Sequence, residues 1–318
     1  MPGQEGDPRI KEQIAQAQRA RLFFRHPLPD ADGHRAMRLE TAIGWRDARL
    51  PGDVTYAQRS GRDEHPFMAA AVTLDPAAVG ACQQMLADNQ FFVAVEQMIG
   101  ERGLRPEFGL LGVPDDYEAI SSQPASPHRM PMSPGMPDVV FADPENGVVA
   151  IKHGDEILYA SLYWRARHGI NGLARVHRLT ERWQQVAVVA VDARFEPAGV
   201  TWTRPNWTNA GFGNGGPQYP GNLVSAHTGE VLPVARLPAD VPYQAGRDNP
   251  YAGRADCYEL SFGPYFIAMN TTRDKTFTVQ VPKRSTQARD LRRGQVLSTD
   301  GPITLGPQDT LVLSFSTQ

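Results

Sequence analysis

Between Met130 and Pro137 the chain reads Met-Pro-Met-Ser-Pro-Gly-Met-Pro, and the pattern of apolar residues changes across this run. Each proline fixes φ and removes an amide donor, so the run can neither continue a helix nor sit in a central strand. Before it the apolar residues recur at helical spacing. Asp7-Pro8 is a helix-start signal, and Ile10, Ile14, Ala17 and Leu22 continue the stripe. A weaker helical stretch surrounds His34–Trp45. Asp75-Pro76 opens the strongest, with Val79, Cys82, Leu86, Gln90, Val93 and Met98 near a period of 3.6, ended by Gly100 and Gly103.

After the run, short apolar segments alternate with turn signals. Strands are expected at Val139–Phe141, Val148–His153, Ile157–Arg165, Leu173–Leu179, Gln185–Phe195, Leu223–Ser225 and Val231–Val234. More follow at Cys257–Phe262, Tyr265–Asn270, Thr276–Val281 and Leu311–Ser316, with Gly154-Asp155 and Gly263-Pro264 as turns. The class is α+β: a helical segment (residues 1–103), a Pro-rich linker (104–137) and a large antiparallel β-sandwich (138–318). A length of 318 residues accommodates such a two-part arrangement.

Composition excludes several function classes. With 41% hydrophobic and 21% charged residues the chain is neither disordered nor membrane-like, and no apolar run reaches bilayer length. A net charge of −3 supplies no basic field for nucleic acid. Met1-Pro-Gly-Gln-Glu-Gly-Asp-Pro has no basic region followed by an apolar one, so no signal peptide is expected there. Cys82 and Cys257 read as two separate buried thiols. The histidines lack H-E-x-x-H spacing, there is no G-x-S-x-G, and Asp30-Ala-Asp-Gly33 is a turn rather than a cation loop, so neither metal nor cofactor is expected. Gly211-Phe-Gly-Asn-Gly-Gly216 matches G-x-G-x-x-G, but Pro217 and Pro220 follow it where a nucleotide site needs a helix.

Chemistry concentrates in Ile157–Arg178. Alternation places Leu158, Ala160, Leu162, Trp164 and Ala166 on one face and Ile157, Tyr159, Ser161, Tyr163, Arg165 and Arg167 on the other. His168, Asn171, Arg175, His177 and Arg178 follow. A second aromatic group, Trp202, Arg204 and Trp207 in the glycine-rich stretch Thr201–Tyr219, could stack on sugar rings and reach their hydroxyls or carboxylates. The competing readings are a solvated sheet face for the first group and a loop tucked down by its own tryptophans for the second.

Tyr265-Phe-Ile-Ala-Met-Asn270, Thr276-Phe-Thr-Val-Gln-Val-Pro282 and Ile303-Thr-Leu-Gly-Pro-Gln-Asp-Thr-Leu-Val-Leu313, after helices and a Pro-rich crossover, resemble the C-terminal portion of polysaccharide lyases. The type is an (α/α) toroid joined to an antiparallel β-sandwich, as in alginate and heparin lyases. The resemblance covers about residues 138–318 and implies β-elimination on an acidic polysaccharide or oligosaccharide. Such a reaction needs a group to stabilise the uronate carboxylate, a base for the C5 proton and an acid for the leaving oxygen. Tyr163 or His168, with Tyr159, would serve as base and acid. Arg165 would clamp the carboxylate, and Asn171, Arg175, His177, Trp202, Arg204 and Trp207 would bind substrate. Family members carry a catalytic Asn or His on toroid helices, for which Asn89, His65 and Arg46 are the helical-side candidates. Three expected helices make only a partial toroid. The rest would come from a longer form of this protein or from another chain, or has been lost. A longer lyase would be periplasmic or secreted. The alternatives are a non-catalytic glycan-binding module and an assembly subunit.

Overall fold

The computed structural model describes residues 7–26, 38–39, 67–88, 113–163, 169–203, 229–237 and 253–315. The chain is α+β, with antiparallel sheets. Helix α1 spans Pro8–Leu22 and α3 spans Pro76–Ala87; α2 (Phe67–Thr73) lies between them and α4 (Val113–Ser121) follows. Both Asp-Pro signals work as expected. Asp7 accepts from the Arg9 N–H, Asp75 accepts from the Ala78 N–H at 3.1 Å, and proline occupies the first turn of each helix. Leu22, Phe67, Met85, Ile120 and Met130 form the helical core. No described helix is long and apolar enough to cross a membrane.

Two short strands, β1 (Arg25–His26) and β2 (Arg38–Leu39), pair after α1. Arg38 and Leu39 fall within the second expected helical stretch and are extended instead; a backbone ladder to β1 satisfies them. The expected helical residues past Asp88 lie outside those described. The segment read as a linker holds α4, started by Pro114 with Asp115 and Asp116 in its first turn, and anchored by fully buried Ile120. Its proline-rich end is packed rather than loose. Met130 enters the helical core, and Met132 is buried two residues later in a different cluster, against the first sheet.

That sheet is a five-stranded meander of β3 (Val139–Asp143), β4 (Val148–His153), β5 (Glu156–Ser161), β6 (Leu173–Leu179) and β7 (Gln184–Ala190) in sequence order. The expected strand 185–195 is split. Val191, 5% exposed, donates its N–H to Gly172 O, and the chain then crosses to β8 (Asp192–Arg194) in another sheet. A ribbon follows, β9 (Pro197–Thr203) with β10 (Val231–Ala235).

The remaining strands are β11 (Cys257–Phe262), β12 (Tyr265–Asn270), β13 (Phe277–Val279), β14 (Gln287–Asp290), β15 (Gln295–Ser298), β16 (Ile303–Leu305) and β17 (Thr310–Ser314). The second sheet runs β15-β14-β17-β12-β11-β8. The two sheets share one core: Val149, Ile151, Leu158, Ala160 and Val176 from the first meet Tyr258, Leu260, Ile267, Met269 and Val312 from the second. Phe266, Ala268, Leu311 and Leu313 on the second sheet's outer face pack against Val279 and Leu305 of the β13–β16 pair. Cys82 and Cys257 are both buried and free. Burial pushes their thiols up, to about 12 and about 11 respectively.

Candidate functional site

The face of the five-stranded sheet turned away from the second sheet collects the polar chemistry. Val148, Ala150, Ile157, Tyr159 and Leu179 form its apolar base, with Phe24, Phe23, Val139 and Phe141 packed on them. Phe23 stacks on Phe141 at 4.9 Å between centroids, and Phe24 meets Phe141 edge-on at 5.6 Å. The residues leaving α1 are thus docked across the strands. His26 follows directly.

Tyr159 and His177 are cross-strand partners in the β5–β6 register, so their side chains leave the same side of the sheet. Their ring centroids are 6.3 Å apart; His26 sits 5.7 Å from Tyr159 and 6.1 Å from His177. The Tyr159 hydroxyl lies 3.3 Å from His26 Nδ1. Arg175 is two residues from His177, hence on this face, opposite Ser161. Lys152 is there too, its Nζ donating to the Met136 and Gly154 carbonyls at 2.6 and 2.8 Å. Tyr159, His177, His26 and Arg175 are only 2%, 0%, 1% and 3% exposed. A phenol and two imidazoles therefore meet, with a buried guanidinium on the same face, in a desolvated layer, where each polar contact counts for more than it would in water. Chemically such a group can give and take a proton and offset a carboxylate charge.

The expectation that Tyr159 and Tyr163 share a face is corrected. Strand β5 ends at Ser161, and the turn at Leu162 and Tyr163 breaks the alternation. Tyr163 enters the core between the sheets, 5.8 Å from Tyr258, and its hydroxyl donates to Glu145 O at 2.6 Å. Gly147, at φ +64, is the complement of this placement: a Cβ there would lie 2.0 Å from the Tyr163 ring. Arg254 also donates to Glu145, at 2.6 Å to the carboxylate, and Arg273 adds a bond at 3.0 Å. Burial works against the Glu145 charge, yet the hydrogen bonds from the two arginines prevail and hold its carboxyl below the ordinary range. Tyr163 thus ties the β3–β4 turn to the second sheet.

Asn171 is 4% exposed, and its side-chain oxygen accepts from the Leu173 N–H at 3.2 Å, closing the turn into β6. Trp202, placed on an expected loop, instead lies on β9 opposite Leu232. Arg178 belongs to the opposite side of β6 from His177; it pairs with Glu156 at 2.5 Å and covers the Trp183 ring at 5.2 Å. Arg165, His168, Arg204 and Trp207, with the helical-side candidates Asn89, His65 and Arg46, lie outside the described residues. His26 was missed by sequence reasoning. Arg-His ahead of a proline at a helix end carries no signal that it will meet residues more than a hundred positions later. Among the described residues no group of three His, Cys, Asp or Glu side chains could hold a metal ion. No family model, curated protein or solved structure matches the chain.

Proposed function

We propose that the protein is carbohydrate-active, a polysaccharide lyase that cleaves a uronic-acid-containing glycan by β-elimination. It would do so as part of a two-part architecture, with a toroid of further helices and a β-sandwich. The observation that carries this reading is the grouping of Tyr159 and His177 under His26, with Arg175 on the same face. Tyr159 and His177 supply the base and the acid. The Arg175 guanidinium offsets the uronate carboxylate as the C5 proton leaves. The phenol and imidazoles come from both parts of the chain, so the chemistry belongs at their junction. These groups are at most 3% exposed, so on this reading substrate must displace what covers them.

A second reading is a non-catalytic glycan-binding module or assembly subunit, in which the buried cluster fastens the end of α1 to the sheet. The near-complete burial of the four side chains favours it. Incubation with alginate, heparin and glucuronan separates the two. The lyase reading predicts ultraviolet absorbance from an unsaturated uronide, abolished in Tyr159→Phe and His177→Ala proteins that remain folded. Retention on a glycan column without that absorbance would establish the module and remove the lyase.

A further inference from the structure

Three Asn-Gly pairs occur in the chain: Asn146-Gly147, Asn171-Gly172 and Asn214-Gly215. The last lies outside the described residues. An asparagine before glycine is open to attack on its side-chain amide by the next backbone nitrogen, because glycine has no side chain to shield that nitrogen. The fold treats the other two pairs differently. Asn171 is 4% exposed; its amide oxygen accepts from the Leu173 N–H at 3.2 Å, and Gly172 O accepts from the Val191 N–H at 2.9 Å. Asn146 is exposed, in the turn 144–147 that joins β3 to β4. Its Nδ2 donates to Asp143 Oδ2 at 2.6 Å and its backbone N–H to Asp143 Oδ1 at 3.2 Å. Both bonds lie at the surface, where water competes for the same groups and local opening is easy.

We propose that Asn146 is a site of spontaneous deamidation, with water as the co-reactant, and that its product loosens the clasp between the β3–β4 turn and the second sheet. The Gly147 backbone nitrogen loses its proton to hydroxide and bonds to Asn146 Cγ. The Cγ–Nδ2 bond breaks, and the amide nitrogen takes a proton from water and leaves as ammonia. Water then opens the cyclic imide at either carbonyl, leaving aspartate or isoaspartate, with nothing oxidised or reduced. Either product replaces a donor with a carboxylate facing Asp143, in a turn that also carries Glu145, so like charges meet where a hydrogen bond stood. Isoaspartate also routes the main chain through Cβ and lengthens the link into Gly147. Gly147 has no room for this: its φ is +64, its carbonyl accepts from the Leu162 N–H at 2.8 Å, and the Tyr163 ring closes over it. Next to it Glu145 binds the Tyr163 hydroxyl through its carbonyl, and Arg254 and Arg273 through its carboxylate. The modification therefore strikes the turn where it is tied down. This inference is independent of the lyase reading.

Peptide mapping by mass spectrometry of the full chain, aged in warm buffers of rising pH, tests it. Amide loss at Asn146 should outpace that at Asn171 at least about tenfold, since a buried amide reacts only when the fold opens. The rate at Asn146 should climb with pH as hydroxide does, and an isoaspartyl methyltransferase should label the peptide that contains it. Aged wild type should melt at least about 2 °C below fresh protein. Asn146→Asp should show a loss of the same sign without ageing. Asn146→Gln, whose longer side chain closes an imide ring far more slowly, should age without that loss. The proposal is overturned if Asn146 keeps its amide in the folded chain while the same chain in urea loses it there, or if Asn146 and Asn171 react at equal rates. Aged Asn146→Gln that falls as far in melting temperature as aged wild type would overturn the loosening of the turn.

Discussion

The two faces of the five-stranded sheet obey the same alternation and end in different environments. Toward the second sheet, Val149, Ile151, Leu158, Ala160 and Val176 make an almost purely apolar layer. Toward α1, the alternate positions Lys152, Tyr159, Arg175 and His177 are just as buried but polar. Alternation fixes which side a residue takes; it does not say that the polar side meets water. A buried polar face costs desolvation, and its groups must be partnered or the fold loses roughly 1–3 kcal/mol for each one left unsatisfied. A chain can carry such a layer where neighbouring groups satisfy one another, as the Lys152 ammonium does with two carbonyls. The apolar face needs only shape.

The contrast can be attacked first on the apolar side. Leu158→Ala removes a fully buried side chain from the inter-sheet core and should cost about 2–5 kcal/mol in urea unfolding, the largest effect expected here. A cost under about 1 kcal/mol would mean the sheets are not closely packed. Gly147→Ala comes next. It puts a Cβ against the Tyr163 ring at a positive φ and should lower stability by about 1–3 kcal/mol.

A matched pair of hydroxyl deletions then compares the faces directly. Tyr163→Phe keeps the ring and loses one hydrogen bond to Glu145 O, so about 1 kcal/mol of stability should go with no change in uronide cleavage. Tyr159→Phe should leave stability similarly affected and abolish cleavage. Equal effects on cleavage would erase the functional distinction between the faces.

The smallest effect concerns the helical layer that holds His26 in place. Asp75 caps α3 and bonds Arg19 of α1 at 2.7 Å. Burial is the largest influence on its carboxyl and works to raise it, but the Arg19 guanidinium and the Ala78 and Ala77 N–H groups together lower it below the ordinary value of about 3.9. Its folded pKa is depressed, so its stabilisation is complete above the ordinary value and drains away as pH falls through the folded one. Asp75→Asn should flatten that acid limb in a pH series of melting temperatures. An unchanged limb would show that other carboxylates control it.

Much of the fold is legible in the sequence. Strands β4, β6, β11 and β12 match the residues expected from alternation, and both Asp-Pro signals begin helices. The misses have different causes. Strands β14 and β15 form a hairpin whose hub is Asp290, fully buried and accepting from Arg292 and Arg293, so burial there runs on charge where hydrophobic periodicity is silent. Helix α4 was hidden in a stretch dominated by proline, although Pro114-Asp115-Asp116 is itself a start signal. At the site, Tyr159 and His177 were each visible as residue types. Their pairing depends on the β5–β6 register, and His26 arrives from 133 residues away. Such convergence is a tertiary fact, set by packing of Phe23 and Phe24 on Phe141 rather than by any local motif.

The most direct measurement is the time course of ultraviolet absorbance when wild-type and His177→Ala proteins, matched for folding, are mixed with glucuronan, alginate and heparin. Wild type should generate the unsaturated uronide from at least one of the three and the variant from none. If wild type releases no such product, or the variant matches it, the buried Tyr159, His177 and His26 group is a fastening of the fold and not the seat of the chemistry.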